Sequence, residues 1–203
     1  MKNSLSAALT ALLLLTAMQP AAAQSVRLKE GSLDVLKNVT RMNVAYDYSS
    51  MGVGKYETEA EYIAQKKADY NKKEAGKGDA WEKAWKADRK NRFQPQFEEL
   101  FNKYAGKLSI GDYPSGQYTL LFKTTYTEPG FNVYVTRKNA LINGEVWIVE
   151  TASPDKAVAK ITVMKSPGRT FGGNDYDTGE RIQEAYAAAG KALGKFLGKA
   201  AGK

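Results

Sequence analysis

The C-terminal segment decides the architecture: residues 177–203 read DTGERIQEAYAAAGKALGKFLGKAAGK. Asp177 followed three residues later by Glu180 has capping-box spacing, which is typical of a helix N-terminus. Apolar side chains then recur every three or four residues, as they do on one face of an amphipathic helix; they are Ile182, Ala185, Tyr186, Ala189, Leu193, Phe196 and Leu197. The pattern predicts a long helix over residues 179–203 that packs on a core.

The same segment repeats glycine and lysine every four residues, as Gly190, Lys191, Gly194, Lys195, Gly198 and Lys199. Each glycine costs a helix about 1 kcal/mol relative to alanine, so the repeat requires a reason. One reason is close approach to another backbone, by tight packing or self-association. A second is a cationic helix that lies on anionic lipid, with lysines on one face and Leu193, Phe196 and Leu197 on the other. A third is a charged end that frays from about Phe196.

A strand-rich region precedes this helix. Residues 118–126 alternate with period two, residues 131–135 form a short strand after a turn, and residues 140–151 and 157–164 continue the pattern. Asn143-Gly144 fits either a two-residue hairpin turn or a bulge. We interpret it as a bulge, because the arm before a turn would be very short. The short connections predict mostly antiparallel pairing.

The first half of the chain supplies a further strand and a core helix. Residues 39–48 alternate as a strand, and Pro95 is expected to break or restart the helix around it. Residues 95–104 then place apolar side chains at helical spacing. The predicted fold class is therefore α/β (α+β): a single domain over residues 25–203, built as a two-layer sandwich. A mostly antiparallel sheet is packed by the core helix and the long C-terminal helix.

Between these two elements lies a charged helical insertion, residues 55–92. Gly76-Lys77-Gly78 divides it into two helices, and Asp79 is expected to cap the second. Three aromatic side chains interleave with its charges and are the candidate partner-binding residues, because aromatic rings often anchor interfaces; they are Tyr62, Trp81 and Trp85. The structural alternative is that the two tryptophans cover the edge of the sheet.

The first residues have the features of a secretory signal peptide. Lys2 is followed by an apolar run, then Pro20 and three alanines, so residues 1–24 are predicted to be removed by cleavage near Ala23 or Gln24. The predicted location is the periplasm or the outer envelope. Without a cysteine at the cleavage site, a lipoprotein anchor is not expected.

Composition excludes several kinds of chemistry. The chain has 203 residues with no Cys and no His, so a thiol nucleophile, a disulfide, a Ser-His-Asp triad and an imidazole metal site are ruled out. No catalytic, cofactor-binding or metal-binding residue is predicted, and Asp177 in the loop 172–177 is interpreted as a helix cap. A pair of carboxylates could still hydrolyse glycosides, but the sequence nominates none. The net charge of +8 favours anionic lipid or glycan as a partner; no nucleic-acid motif is present.

A family resemblance rests on Gly172-Gly173, Glu180-Arg181-Ile182, Ala185-Tyr186 and Gly190-Lys191, together with the order of elements. Here the chain resembles exported bacterial proteins of unknown function, distantly similar to periplasmic α/β domains of the curli-secretion-lipoprotein type. The resemblance covers residues 39–197 apart from the insertion, and this chain lacks the lipoprotein cysteine. It implies an envelope role and no catalytic residues.

These observations predict a non-enzymatic exported envelope protein that binds another protein or itself. The first alternative is a peripheral protein that docks on anionic lipid through the cationic C-terminal helix. The second is a carbohydrate-binding or carbohydrate-active protein.

Overall fold

The structure is a computed structural model that describes residues 23–133, 135–169 and 177–202. The predicted signal peptide and the glycine pair at 172–173 therefore lie outside the described residues, except for Ala23 and Gln24. The predicted fold class is confirmed: one mixed sheet is packed by helices that include a long C-terminal one. The helices are α1 (Glu59–Lys73), α2 (Lys77–Asp88), α3 (Gln94–Tyr104) and α4 (Thr178–Ala201).

Seven strands form the main sheet, and two short ones form a separate hairpin. The main-sheet strands are β1 (Ser25–Gly31), β2 (Arg41–Asp47), β3 (Gly52–Val53), β4 (Ser109–Gly111), β5 (Tyr118–Glu128), β8 (Ala140–Glu150) and β9 (Ser153–Gly168). The hairpin consists of β6 (Phe131–Asn132) and β7 (Arg137–Lys138).

The sheet order is β1-β9-β8-β5-β2-β4, with β3 also paired to β5. The pairs β1–β9, β9–β8 and β8–β5 are antiparallel, whereas β2 runs parallel to both β5 and β4. The parallel pairs arise because the chain leaves the sheet after β2 and β3 and returns to form β4 and β5 only after the helices. The bulge at Asn143-Gly144 is confirmed: β8 continues through it with a register shift against both neighbours.

The core lies between one face of the sheet and helices α3 and α4. Phe97 on α3 lies 4.8 Å from Phe122 on β5, and Tyr186 on α4 stacks on Phe93 at 5.1 Å between ring centroids. All four side chains are buried. The Tyr186 hydroxyl shares a 2.6 Å hydrogen bond with the Thr124 hydroxyl, so its polar end is satisfied inside the core.

The restart of the helix near Pro95 takes a specific form. A π-helical turn, Arg89–Phe93, joins α2 to α3, and Pro95 lies directly after it in the first turn of α3, so the helix continues through the proline by way of this wider turn. The expected cap at Asp79 was wrong. Helix α2 begins at Lys77 after Gly76, which has a φ of +82°, and Asp79 instead pairs with Lys67 at 2.7 Å.

Strand β1 was not predicted; its alternation of Val26 and Leu28 with Arg27 and Lys29 is short, and most of its residues are exposed. It pairs along β9 as an edge strand, where charged side chains are common. Just before it, the Gln24 amide donates to the Ser166 hydroxyl and to the Ala188 carbonyl, both at 3.0 Å. Cleavage after Ala23 would keep this contact, whereas cleavage after Gln24 would remove it.

The predicted cap of the C-terminal helix is confirmed. An Asp177 carboxylate oxygen accepts from the amides of Gly179 at 2.7 Å and Glu180 at 3.4 Å, and the other oxygen accepts from Arg92 at 2.9 Å. Burial alone would raise the pKa of Asp177, but the hydrogen bonds from Arg92 and these amides outweigh it and hold that pKa below 3.8.

Asp177→Asn is expected to lower the free energy of unfolding at pH 7 by about 1 kcal/mol, because asparagine keeps the cap but loses the charge. The folded pKa lies below the unfolded one. The charge therefore contributes fully above about pH 4, and its contribution is lost as the pH falls through the folded pKa. Urea unfolding of both proteins from pH 7 to pH 2.5 should show the difference disappearing in acid. A difference that is independent of pH would contradict the role of the charge.

Candidate functional site

The glycine repeat on α4 is explained by contact with α3. A Cβ at Gly190 would lie 2.2 Å from the Phe97 carbonyl oxygen, one at Gly194 would lie 2.6 Å from that of Phe101, and one at Gly198 would lie 2.5 Å from that of Ala105. The partner residues advance by four with the glycines, so the two helices run parallel with their backbones in contact. Tight packing within the chain is therefore the reason for the repeat.

The apolar stripe of α4 is also used inside the domain. Leu193 and Leu197 are fully buried and Phe196 is half-buried against the core. The expectation that the end frays from Phe196 was wrong, because α4 continues to Ala201. The apolar side that was expected to face lipid faces the protein core, so α4 presents mainly its lysine side to the surroundings.

The lysines of the repeat lie on the exposed side of α4. The Lys191 and Lys195 ammonium groups lie 5.0 and 5.2 Å from the centroid of the same ring, that of Tyr104 on α3. Lys199 lies one turn further on, beside an open pocket that is also lined by Leu33 and Phe196. The repeat thus separates two roles: glycines face the neighbouring helix, and lysines face solvent.

The insertion forms a helical arm, which we define as α1 and α2. The two helices contact mainly each other, and their other main contacts are with β3 and the π-helical turn. Helix α1 has 15 residues, so the arm is on the order of 22 Å long. The tryptophans join α1 to α2, and Trp85 also belongs to the core cluster and lines a small cavity with Met51 and with Thr127 of β5, so packing against the sheet accounts for part of its burial.

Five rings run along the junction of the two arm helices, and we call this set the aromatic seam. Successive centroids lie 5.1 to 5.8 Å apart. Tyr62 and Trp85 are each 7% exposed and hold the arm together, while the other three rings are half-buried at its surface. The seam consists of Tyr56, Tyr62, Tyr70, Trp81 and Trp85. Of the three predicted partner-binding residues, only Trp81 thus presents a substantial surface.

A polar cluster fixes the root of the arm, and sequence reasoning missed it. The Arg89 guanidinium pairs with both oxygens of the Glu59 carboxylate, and the Trp85 indole N–H donates to the same carboxylate at 2.6 Å. Arg89 also lies 4.2 Å from the centroid of the Tyr48 ring. Glu59 and Arg89 are 30 residues apart, so no local spacing could reveal the pair.

Among the described carboxylates with raised pKa values, Asp88 and Glu98 are held in structural contacts, whereas the pKa of Glu184 is raised by burial and by the neighbouring Glu180. Burial raises the pKa of Asp88, and Asp177 adds to this, while Arg92 opposes it from 3.2 Å. Burial also raises the pKa of Glu98, which accepts from the Tyr46 hydroxyl at 2.9 Å. Arg92 therefore bridges Asp88 and Asp177, an arrangement that anchors the start of α4 to the π-helical turn.

The described ranges contain neither a metal-binding cluster nor a membrane-spanning helix. Among residues 23–133, 135–169 and 177–202, no three acidic side chains group closely enough to hold a metal ion. Within the same ranges, no helix has the length and apolarity needed to span a bilayer.

Comparison with known proteins gives a weak structural likeness only. No known protein family matches the chain, and no curated protein does. The PelC dodecamer from Paraburkholderia phytofirmans is similar at a TM-score of 0.40 and 11% identity, over 85% of this chain and 97% of that chain. A PelC variant dodecamer from the same organism gives a TM-score of 0.41 and 11% identity, over 86% and 99%. Likeness at this level assigns no function.

Proposed function

We propose that this chain is a non-enzymatic exported binding protein whose helical arm contacts a protein partner, either another envelope protein or a second copy of itself. The observation that carries the proposal is the aromatic seam, which has a buried centre that joins the core and half-buried outer rings on a helical hairpin. The leader-like N-terminus supports export.

The seam has the composition of an interface centre. Tyr and Trp dominate binding energy at protein interfaces, because they bury large rigid surfaces and keep a polar atom available. Tyr70 and Trp81 are neighbours at 5.8 Å and both are half-buried, so together they form a continuous ring surface. Two lysines border this surface. The ammonium of Lys66 lies 5.8 Å from the centroid of the Tyr62 ring, and that of Lys73 lies 6.0 Å from the centroid of the Tyr70 ring.

The arm is also rigid enough to present that surface. The Lys67 ammonium joins α1 to α2 through Asp79 at 2.7 Å and Glu82 at 3.1 Å. The Asn71 side-chain oxygen accepts from the Gly78 amide at 2.7 Å, and a Cβ at Gly78 would lie 2.3 Å from the Lys67 carbonyl oxygen. A pre-formed surface loses little conformational entropy when it binds.

Photo-crosslinking in the producing cells tests the proposal. A benzoyl-phenylalanine in place of Tyr70 retains a ring in the seam, and the same residue in place of exposed Lys83 samples the other side of α2. We expect a discrete adduct from position 70 and none from position 83. The mass of the adduct shows whether the crosslinked partner is a second copy of this chain or another protein. Equal labelling at both positions, or none at position 70, would contradict the proposal.

A substitution complements the crosslinking. Tyr70→Ala is preferred to replacement of Trp85, because the loss of a buried ring would unfold the arm and confuse the result. We expect Tyr70→Ala to weaken the association at least tenfold while the far-UV circular dichroism stays unchanged. The control is Lys83→Ala, which should bind normally.

The absence of catalysis is part of this proposal. It is supported by the lack of Cys and His, and by the structural contacts that hold Asp88, Asp177 and Glu98. Hydrolysis of a glycan by the purified protein, abolished by replacing two carboxylates 5 to 10 Å apart, would contradict it and favour the carbohydrate-active alternative.

A further inference from the structure

A second surface, on the other helical pair, concentrates positive charge. We define the lysine face as Tyr104 and the five exposed lysines around the C-terminal ends of α3 and α4: Lys103, Lys107, Lys191, Lys195 and Lys199. Residues 100–111 and 185–202 contain no Asp or Glu, and the Gly198 contact with Ala105 brings these two segments together. In the described part of the chain, none of the five lysines has an ion pair.

This concentration differs from the charge pattern elsewhere. Residues 55–92 contain eleven Lys or Arg and eight Asp or Glu, and several of these charges pair with each other. A group of like charges without ion-pair partners raises the local potential and destabilises the free protein slightly. Asp34 lines the same pocket as Lys199, but its carboxylate pairs with Lys37 at 2.8 Å. The helix dipole favours lysines in the last turn of a helix. This accounts for Lys103 on α3 and Lys199 on α4, but not for Lys191 and Lys195, which lie earlier in α4.

From this surface we infer that the lysine face binds a linear acidic glycan. Lys191, Lys195 and Lys199 follow one another at about 6 Å along α4, which is comparable to the length of one sugar residue. Two ammonium groups lie within 5.2 Å of the centroid of the half-buried Tyr104 ring, so a sugar whose C–H face contacts this ring would bring its carboxylate to a lysine. The site would thus recognise both the negative charge and the flat C–H face of the sugar.

A membrane surface fits these observations less well. A helix that lies on a bilayer inserts its apolar face among the acyl chains. Here Leu193 and Leu197 are fully buried in the core, so α4 has no such face to insert. The inference does not depend on the helical arm, and the two proposals can fail separately.

The test is binding of the purified protein to polygalacturonate at 50 mM NaCl, followed by biolayer interferometry, with uncharged dextran as a blank. The variant is Lys191→Ala/Lys195→Ala/Lys199→Ala. Its matched control is Lys72→Ala/Lys83→Ala/Lys90→Ala, which removes the same charge from exposed positions on the arm and the π-helical turn. We expect the variant to bind at least tenfold more weakly and the control to bind like the parent protein.

Two further measurements distinguish binding at this site from general electrostatic attraction to the protein. The slope of log K against log salt should fall by about 2 when three contacting lysines are removed, since each releases a counterion on binding. Tyr104→Ala should weaken binding severalfold and Tyr104→Phe should not, because phenylalanine keeps the stacking surface.

Three results would overturn the inference. They are no binding to polygalacturonate, equal loss of binding in the variant and its control, and lysine-dependent binding to phosphatidylglycerol vesicles without binding to the glycan. The last result would instead assign the lysine face to a membrane surface. None of these results bears on crosslinking from position 70, so the arm is tested independently.

Discussion

Gly190→Ala is expected to lower the free energy of unfolding by about 3 kcal/mol, although alanine is the better helix former. The added methyl group would lie 2.2 Å from the Phe97 carbonyl oxygen and 3.1 Å from the Phe97 Cα atom. Both are backbone atoms, so no side chain can rotate away. Relief requires α4 to move off α3, which would also loosen the buried Leu193 beside it.

Urea unfolding followed by circular dichroism measures this effect, and Gly202→Ala is the matched control. Gly202 is exposed just after the end of α4, and among the described residues its added methyl would meet only the Gly198 carbonyl oxygen, at 3.1 Å. We expect the control to unfold within about 0.5 kcal/mol of the parent protein, as surface changes usually do. If Gly190→Ala were neutral or stabilising, α3 and α4 would not pack backbone to backbone.

Arg89→Ala is expected to cost about 3 kcal/mol, because it leaves the Glu59 carboxylate without its cation in a site that is only 16% exposed. The ring of Tyr48 loses its cationic neighbour in the same change. Because Arg89 lies on the π-helical turn and Glu59 begins α1, the damage should concentrate at the root of the arm. We expect amide hydrogen exchange in α1 to accelerate more than exchange in β8.

The neighbouring Lys90→Ala is the control, because Lys90 is exposed and lies on the same turn. Arg89→Lys should recover only part of the loss, since lysine cannot pair with both carboxylate oxygens in the planar arginine geometry. Equal unfolding energies for Arg89→Ala and Lys90→Ala would show that the ion pair contributes nothing to stability. In that case the arm would be held by its other contacts, which include the aromatic seam and the ion pairs of Lys67.

Both results bear on function, because each surface depends on a different anchor. The glycine contacts hold α4 against α3 and so bring Lys191 and Lys195 to the ring of Tyr104. The Glu59–Arg89 pair fixes the arm that carries the aromatic seam. A glycine substitution should therefore disturb the lysine face first, and loss of Arg89 should disturb the arm first.

Local patterns were sufficient for several elements. The cap at Asp177, the long amphipathic α4 and the bulge at Asn143-Gly144 each depend on residues close together in the chain. Capping, helical periodicity and alternation are short-range effects, so the sequence records them directly. The division of the insertion near Gly76 is visible for the same reason.

The sequence by itself thus determined the α/β class, the glycine and lysine repeats on α4 and the absence of thiol and imidazole chemistry. Only the tertiary structure decided what these features contact. It placed the glycines of α4 against the α3 backbone, buried Tyr62 and Trp85 between the arm helices, paired Glu59 with Arg89, and brought Lys103 and Lys107 beside the lysines of α4. These contacts join residues far apart in the chain, and their geometry depends on how the helices and the sheet pack in three dimensions. The periodicity of a sequence predicts that a helix or strand has an apolar face, whereas tertiary packing determines which residues that face contacts.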